Sequence, residues 1–215
     1  MRLFLGPGVH AACVDEDVVF LDTICDAYFC LAGAAEFFEI GAGGQVDVAA
    51  EEIAVQMLEA GLLSQERAPG VKLTAPRPAA SIRLAQPAFR PMTPGLVVGA
   101  ITATFKVARG FSGRSFARLL EGPSPGAAAF ENPSPAMSDA VAQFETLRPW
   151  LPLQGECLLR SYHLRVFLRA RGLDALWVFG VRTWPFDAHC WLQSGQTVLD
   201  EDLERLSAYQ PIMVA

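Results

Sequence analysis

The first third of the chain alternates between short apolar runs of strand character and one stripe of helical period. Val18–Leu21 and Tyr28–Leu31 are β-prone runs joined by a short polar connection, which predicts a β-hairpin. Ala34–Ile40 is helix-prone and is followed at once by a glycine-rich break. Val48–Leu63 repeats its apolar residues with the period of a helix, and Gly61 is expected near the C-terminal end of that helix.

The middle of the chain is rich in proline, which lacks a backbone N–H and interrupts helices. Residues 68–95 and 122–135 are therefore predicted to be connectors without long elements. Helical patterns flank them at Leu96–Ala108, Ser115–Leu120 and Asp139–Leu147. Ser138 is the expected start of the last of these helices, because a serine hydroxyl can accept from the first free N–H groups.

The last third has the most regular pattern. Cys157–Arg171 carries an apolar stripe of helical period and is followed by Gly172, an expected C-cap. The strand-like runs that come next are Leu176–Val181, Ala188–Gln193 and Thr197–Leu199. Ser194–Gly195 is the expected hairpin turn between the last two. A helix followed by an antiparallel meander predicts the α+β fold class.

Composition limits the type of protein. The chain has 215 residues, of which 52% are hydrophobic, enough for one or two compact domains. Its most apolar stretch, Leu96–Thr104, is far shorter than the roughly 20 residues of a membrane helix, so no membrane insertion is expected. The first residues resemble a signal peptide only as far as Leu5, because glycine and then acidic residues cut the apolar run short. A cytoplasmic location is expected.

Charge is distributed unevenly. Residues 1–70 carry two basic and twelve acidic side chains, a net charge of −10, whereas residues 71–215 carry fifteen basic and eleven acidic ones, a net charge of +4. An acidic front argues against a phosphate-binding surface for nucleic acid and for a peptide or protein partner. The five cysteines have no paired spacing, which favours free thiols in a reducing compartment.

Cys157 is a candidate nucleophile, because it lies in the first turn of its predicted helix, just after Gly155 and Glu156. Unpaired N–H groups and the helix dipole favour a thiolate there, and the same N–H groups can stabilise an oxyanion. The competing interpretation is a small buried hydrophobic residue, since free cysteines are often buried. His189 favours catalysis, because a histidine is the base that a thiol nucleophile uses.

A carboxylate can complete this set through the predicted hairpin. A two-residue turn at Ser194–Gly195 pairs His189 with Asp200, whereas a three-residue loop pairs it with Glu201. Either acid would orient the imidazole, and thiol, imidazole and carboxylate are the parts of cysteine-based acyl transfer. Both acids remain open on the pattern alone.

Other residues of catalytic type have no such partners. His163 lies more than a helical turn from Cys157 and is interpreted as structural. Cys13, Cys25 and Cys30 are interpreted as packing residues. No Cys or His pair has zinc spacing, and no glycine-rich run continues into the Lys of a phosphate loop, so neither a metal nor another cofactor is expected.

Two parts of the chain resemble known families. The back part resembles the transglutaminase-like leader peptidases of lasso peptide biosynthesis, the B proteins, through Cys157–Ser161, Arg169–Leu173, Ala188–Leu192, Val198–Leu199 and Tyr209–Ile212 in that order. The front part, with Asp17–Asp22 and Tyr28–Gly33, is similar to the small winged-helix leader-recognition domain related to PqqD. Together they look like the fused form of the B protein.

The resemblance implies a fold and a function. It implies a PqqD-like winged helix at 1–67, a Pro-rich linker at 68–95, and a transglutaminase-like or papain-like cysteine peptidase domain at 96–215, with helices packed on an antiparallel sheet. The family binds a ribosomally made lasso precursor peptide and hydrolyses off its leader. This frees the N-terminus of the core for a partner macrolactam cyclase similar to asparagine synthetase.

The resemblance also implies residue roles. Carried over by position, Cys157 is the nucleophile and His189 the base. Glu201 occupies the position of the family's acid, which is commonly Asp, and Asp200 stays as the alternative just before it. The leader is expected to add a strand beside the second hairpin strand and to pack on the following helix. The residues implied to bind it are Ala27, Tyr28, Phe29, Cys30, Leu31, Glu51, Val55 and Leu58.

Two further functions stay open on the sequence. A transglutaminase-type acyl transferase would use the same three groups to join a glutamine side chain to an amine. A noncatalytic scaffold would only hold a peptide for a separate enzyme, with Cys157 buried.

Overall fold

The computed structural model describes residues 1–68, 73–82, 94–111, 115–151 and 157–215. Its strands are β1 (Arg2–Leu5), β2 (Val9–Val14), β3 (Asp17–Asp22), β4 (Ala27–Leu31), β5 (Phe38–Ile40), β6 (Gln45–Val48), β7 (Leu63–Ser64), β8 (Ala80–Ser81), β9 (Leu176–Arg182), β10 (Asp187–Ser194), β11 (Thr197–Val198) and β12 (Gln210–Val214). Its α-helices are α1 (Glu51–Glu59), α2 (Pro94–Phe111), α3 (Phe116–Leu120), α4 (Pro135–Leu147), α5 (Cys157–Arg169) and α6 (Leu203–Leu206). None of the helices in these ranges is long and apolar enough to cross a membrane.

Residues 1–68, here called the front half, form two small antiparallel sheets beside α1. One sheet has the strand order β5-β6-β1-β7 and the other is the meander β2-β3-β4. The β3–β4 hairpin confirms the sequence prediction, with Val18 opposite Leu31 and Leu21 opposite Tyr28. Strand β4 ends its sheet, so within the described residues its outer edge has no strand partner.

Strand β3 is apolar on both faces because it separates two cores. Val18 and Phe20 pack in the core of the front half. Val19 and Leu21 point the other way and belong to the same core as Phe167 of α5 and the sheet behind it. Full burial of each such side chain contributes about 1.5–3 kcal/mol, so β3 joins the front half firmly to the rest of the chain.

Residues 94–215, here called the back half, pack helices on a mainly antiparallel sheet, which confirms the predicted α+β class. The sheet order is β12-β9-β10-β11-β8, and α5 packs against β10. Cys190 and Leu192 of β10 face the helices, whereas Trp191 faces a smaller core on the other side, as alternation predicts. Strand β8 pairs in parallel with β11, so part of the Pro-rich segment joins this sheet.

The turn between β9 and β10 docks on the front half. Trp184 Nε1 donates to Asp17 Oδ2 at 2.7 Å. Phe186 packs edge-on against Tyr28, with ring centroids 5.5 Å apart. These contacts fix the position of β4 relative to β10.

Two element predictions are wrong in detail. Helix α4 begins at Pro135 because Ser134, not Ser138, is its N-cap and accepts from the Met137 N–H at 3.2 Å. Ala34–Ile40 is not a helix but a short 3-10 turn followed by β5, because Phe38 enters the front core and pairs with Val48.

The winged-helix expectation for residues 1–67 is not confirmed. Helix α1 is the one α-helix of residues 1–68, and it is shorter than the helix predicted over Val48–Leu63. The sequence analysis also did not predict β1, β2 or β12, of which β12 borders the sheet that carries the candidate site.

Candidate active site

Cys157 is the first residue of α5, as predicted, and its side chain is half-buried. The N–H groups of a first helical turn have no partners within the helix, and together with the helix dipole they favour a negative charge at this point. Gly155 and Glu156, which were expected to precede the helix, lie outside the described residues.

The outer edge of β10 faces Cys157 because β11 is only two residues long. The Leu192 N–H donates to Asp200 Oδ1 at 2.9 Å. The Cys190 N–H, two residues earlier, points to the same side of β10 and donates to the Cys157 sulfur. The short partner strand thus leaves main-chain donors available to the nucleophile.

His189 links Cys157 to Glu201. Its ring is hydrogen-bonded to the Cys157 sulfur, and its Nε2 lies 2.9 Å from Glu201 Oε2. Nδ1 is therefore the ring nitrogen that faces the sulfur. The rings of Trp191 and Tyr209 flank the imidazole at centroid distances of 6.5 and 5.3 Å, and Tyr209 also lines a cleft between the two halves.

Electrostatics favour a thiolate–imidazolium pair. Hydrogen bonding with the Cys190 side chain, with His189 and with the Cys190 N–H outweighs burial and lowers the pKa of Cys157 to about 4. Burial lowers the pKa of His189, but its bonds to Cys157 and Glu201 outweigh burial and raise it to about 9. These shifts favour a charged sulfur and a protonated ring at neutral pH, which is the state of an activated cysteine nucleophile.

Glu201 is held from a second side by Arg160. Arg160 Nη2 lies 2.5 Å from Glu201 Oε2. Burial raises the pKa of Glu201, but the hydrogen bonds from His189 and Arg160 prevail and lower it to about 2. The sequence analysis gave Arg160 no role. Its position three residues after Cys157 on a helix, which brings it to the same side, was the available signal.

Asp200, the alternative acid, has a different environment. It is buried, Leu192 donates to its Oδ1, and no group of the described residues is hydrogen-bonded to its Oδ2. Burial raises its pKa to about 7. The carboxylate that contacts His189 is therefore that of Glu201, and Asp200 anchors the loop that carries it.

The predicted hairpin registers were both wrong. Ser194 pairs with Thr197, so the turn consists of Gly195 and Gln196. Gly195 adopts a φ of +54°, a conformation that glycine tolerates best. The ladder stops at Val198, and Glu201 reaches His189 from the loop beyond it instead of from a paired strand position.

The residues implied to bind a leader lie on β4 and α1. Phe29 and Val55 each expose 44% of their surface, and Cys30 and Glu51 are also exposed, whereas Ala27, Leu31 and Leu58 are half-buried. Tyr28 faces the back half. Burial and then the charges of Cys190, Asp26 and Cys157 raise the pKa of its phenol, and Tyr28 and Cys157 pack against the same hydrophobic core.

The remaining histidine and cysteine predictions have mixed outcomes. His163 is buried, lies 3.2 Å from Thr104 Oγ1 and packs in the core, as its structural interpretation predicted. Cys13, Cys25 and Cys30 are exposed, so their interpretation as packing residues was wrong. All five cysteines are free. In the described ranges no group of three or more His, Cys, Asp or Glu side chains is arranged to hold a metal.

Comparison with known proteins gives two matches. The family model described as the transglutaminase-like superfamily matches residues 100–214, which include every residue of the Cys157 site. The microcin J25-processing protein McjB of Escherichia coli is 42% identical over 48 residues, which are 22% of this chain and 23% of that protein. The match thus covers less than a quarter of the relative's length. No solved structure matches the chain significantly.

Proposed function

This chain belongs to the transglutaminase-like superfamily, and on that premise we propose that it is a cysteine peptidase that removes the leader from a lasso precursor peptide. The observation that carries the proposal is the hydrogen-bonded series of Cys157, His189 and Glu201. The match to part of a microcin-processing protein supports the lasso assignment. Release of the leader would give the core a free N-terminal amine for a macrolactam cyclase.

The chemistry proceeds in two steps. The Cys157 thiolate attacks the carbonyl carbon of the last leader residue, and His189 gives its Nδ1 proton to the leaving amine of the core. Water then attacks the thioester, with His189 as the base, and releases the leader with a new carboxylate. The unpaired N–H groups at the start of α5 would stabilise the oxyanion. Glu201 keeps the imidazole oriented in both steps.

The leader binds along β4 in this proposal. No strand of the described residues pairs with the outer edge of β4, so a peptide strand can add there. Phe29 of β4 and Val55 of α1 are exposed apolar side chains of the same half. Tyr28 is the second residue of β4 and packs against the same core as Cys157. A leader whose C-terminal end reaches Cys157 therefore runs antiparallel to β4.

A fixed arrangement of the two halves would present the scissile bond. Val19 and Leu21 of β3 share a core with the helices of the back half, and Trp184 bonds to Asp17. Binding at β4 would then raise the local concentration of the scissile bond near Cys157 through a rigid connection, and the Pro-rich stretch need not act as a flexible tether.

Mass spectrometry of a precursor peptide tests the proposal against its alternatives. The protein is incubated with a lasso precursor peptide that carries leader and core in one chain, and the products are weighed. A peptidase yields the separate leader and core. A transglutaminase-type acyl transferase yields a product that has lost ammonia, and a noncatalytic scaffold leaves the precursor unchanged. Either of the last two results would refute the proposed function.

A further inference from the structure

Tyr209 packs against the His189 ring, and neither of the two steps above uses it. The ring centroids lie 5.3 Å apart, with an angle of 36° between the ring planes. This inclination is closer to an offset stack than to an edge-to-face contact, so part of the phenol face lies against the imidazole. Trp191 is more nearly parallel to the imidazole but lies farther away, at 6.5 Å. Of these two aromatic neighbours, Tyr209 is the closer one.

Gly180 gives the Tyr209 side chain access to His189. It pairs with His189 of β10 on one side and with Pro211 of β12 on the other. A Cβ atom on Gly180 would lie 2.8 Å from the Trp191 ring and 3.1 Å from Tyr209 Cβ. The Tyr209 and Trp191 side chains therefore cover bare backbone of β9, and a ring from the start of β12 can reach across that strand to the imidazole.

The Tyr209 ring is held at both of its ends. Its Oη donates to Asp187 Oδ2 at 2.6 Å, and its main-chain N–H donates to the Leu206 carbonyl at 3.0 Å. Arg182 Nη2 donates to the same Asp187 oxygen at 3.3 Å, and the Arg182 Cζ atom lies 5.5 Å from the Tyr209 ring centroid. The ring cannot turn away from His189 without loss of the bond to Asp187.

The charged groups that act on His189 come from two other elements. Cys157 belongs to α5 and Glu201 to the loop after β11, and the negative charge of each favours a protonated ring. Arg160 and Arg205 both contact the Glu201 oxygen that His189 contacts. Hydrogen bonds of the ring nitrogens lie in the plane of the imidazole. The faces of the imidazole are therefore left to the aromatic side chains.

We infer that Tyr209 is a positioning residue for the proposed reaction, whose ring lies against the His189 imidazole, restricts its rotation and stabilises its protonated form. This inference rests on the proposed role of His189 as the proton donor to the leaving amine. A cation within about 6 Å of an aromatic centroid is attracted by the negative face of that ring. Because the ring and not the hydroxyl has this effect, phenylalanine should replace Tyr209 and an aliphatic residue should not.

The test is the titration of His189, followed by NMR in the full chain labelled with carbon-13 histidine. The chain has three histidines, His10, His163 and His189, whose signals are assigned with His10→Gln and His189→Gln. Tyr209→Leu and Tyr209→Met remove the ring but keep an apolar cover over the imidazole, and a folding defect in one leaves the other. Tyr209→Phe keeps the ring.

The two variants without the ring are expected to lower the His189 midpoint by about half to one pH unit. Tyr209→Phe is expected to keep the wild-type midpoint. His163, buried in the core of the back half, is the internal control and should titrate alike in all variants. Phe186→Leu, which removes an aromatic ring that packs on Tyr28 instead, is the matched control and should leave the His189 midpoint unchanged.

An unchanged or raised His189 midpoint in the folded variants without the ring would overturn the inference. Equal shifts in Tyr209→Phe and Tyr209→Leu would also overturn it, because the ring would then be irrelevant. The titration requires no precursor peptide. A midpoint that depends on the ring, in a protein that fails to cleave the precursor, would therefore contradict the proposed function and leave the stabilisation of the imidazolium by Tyr209 standing.

Discussion

Glu201 Oε2 lies 2.9 Å from His189 Nε2, although the strand pairing that connects their segments has already ended at Val198. The loop after β11 is drawn over the edge of β10 because Asp200 accepts from the Leu192 N–H. Arg160 of α5 contacts the same Glu201 oxygen, Oε2, and helps to hold the carboxylate in place. The orientation of the imidazole thus depends on a loop and a helix together.

Replacement of Glu201 by glutamine should impair catalysis more than binding. Glu201→Gln removes the charge that favours the protonated imidazole and leaves Arg160 without its partner. We expect kcat/KM for precursor cleavage to fall by at least about 100-fold with little change in KM. Asp202→Asn, which removes a charge from an adjacent exposed residue, is the matched control. Equal rates for Glu201→Gln and the control would exclude Glu201 as the orienting acid.

Asp200 should make folding stability depend on pH. Burial raises its pKa from 3.8 to about 7, so between these values the folded protein holds a proton that the unfolded chain releases. The free energy of unfolding therefore declines as pH rises through this window, and the full penalty is present above it. Asparagine cannot ionise and still accepts from Leu192.

Denaturant unfolding of wild type and Asp200→Asn at several pH values measures this effect. From pH 5 to pH 8 the wild type should lose about 2–3 kcal/mol more than the variant. Asp202→Asn should follow the wild type, because that residue is exposed. Parallel curves for wild type and Asp200→Asn would show that Asp200 is ionised throughout.

The rate of cleavage should have a broad pH plateau. The active pair needs Cys157 deprotonated and His189 protonated, and their pKa values are about 4 and about 9. kcat/KM should therefore rise through the lower value and fall through the upper one, as properties of the pair. A profile that rises only above pH 7 would indicate a neutral thiol and contradict the ion pair.

A substitution at one exposed valine, Val55, should weaken leader binding without changing the rate of the chemical step. Val55→Asp adds a charge to an exposed apolar position of α1, where an apolar side chain of a bound leader would have to desolvate it. We expect KM, and the Kd of a fluorescently labelled leader, to rise about tenfold with kcat unchanged. Val98→Asp on α2, where the valine is 62% exposed, is the control. An equal effect of both substitutions would show that α1 is not part of the leader-binding surface.

Much of the site could be predicted from local sequence. The helix that starts at Cys157 and the strand that carries His189 depend on apolar periodicity and on a nearby glycine, which are visible in single segments. The β3–β4 hairpin was predictable for the same reason. These elements have one strong local signal each.

The missed features depend on contacts between distant segments. The turn register failed because Gly195 could occupy more than one turn position, and pairing of Ser194 with Thr197 is decided by the whole sheet. Arg160 acquires its role only when α5 meets the loop of Glu201. The core that β3 shares with the back half could not be predicted from the sequence. A strand that is buried on both faces has a continuous apolar run, which does not show which elements cover each face.

Cleavage of the precursor by wild type and Cys157→Ala is the most direct test of the central claim that Cys157 is the nucleophile. Acid-quenched samples are weighed as intact protein and as peptide, and leader binding is measured in parallel. We predict that the wild type releases leader and core through a leader thioester on Cys157, and that Cys157→Ala binds the leader equally well but leaves the precursor whole. Cleavage by Cys157→Ala at a rate near that of the wild type would contradict this account.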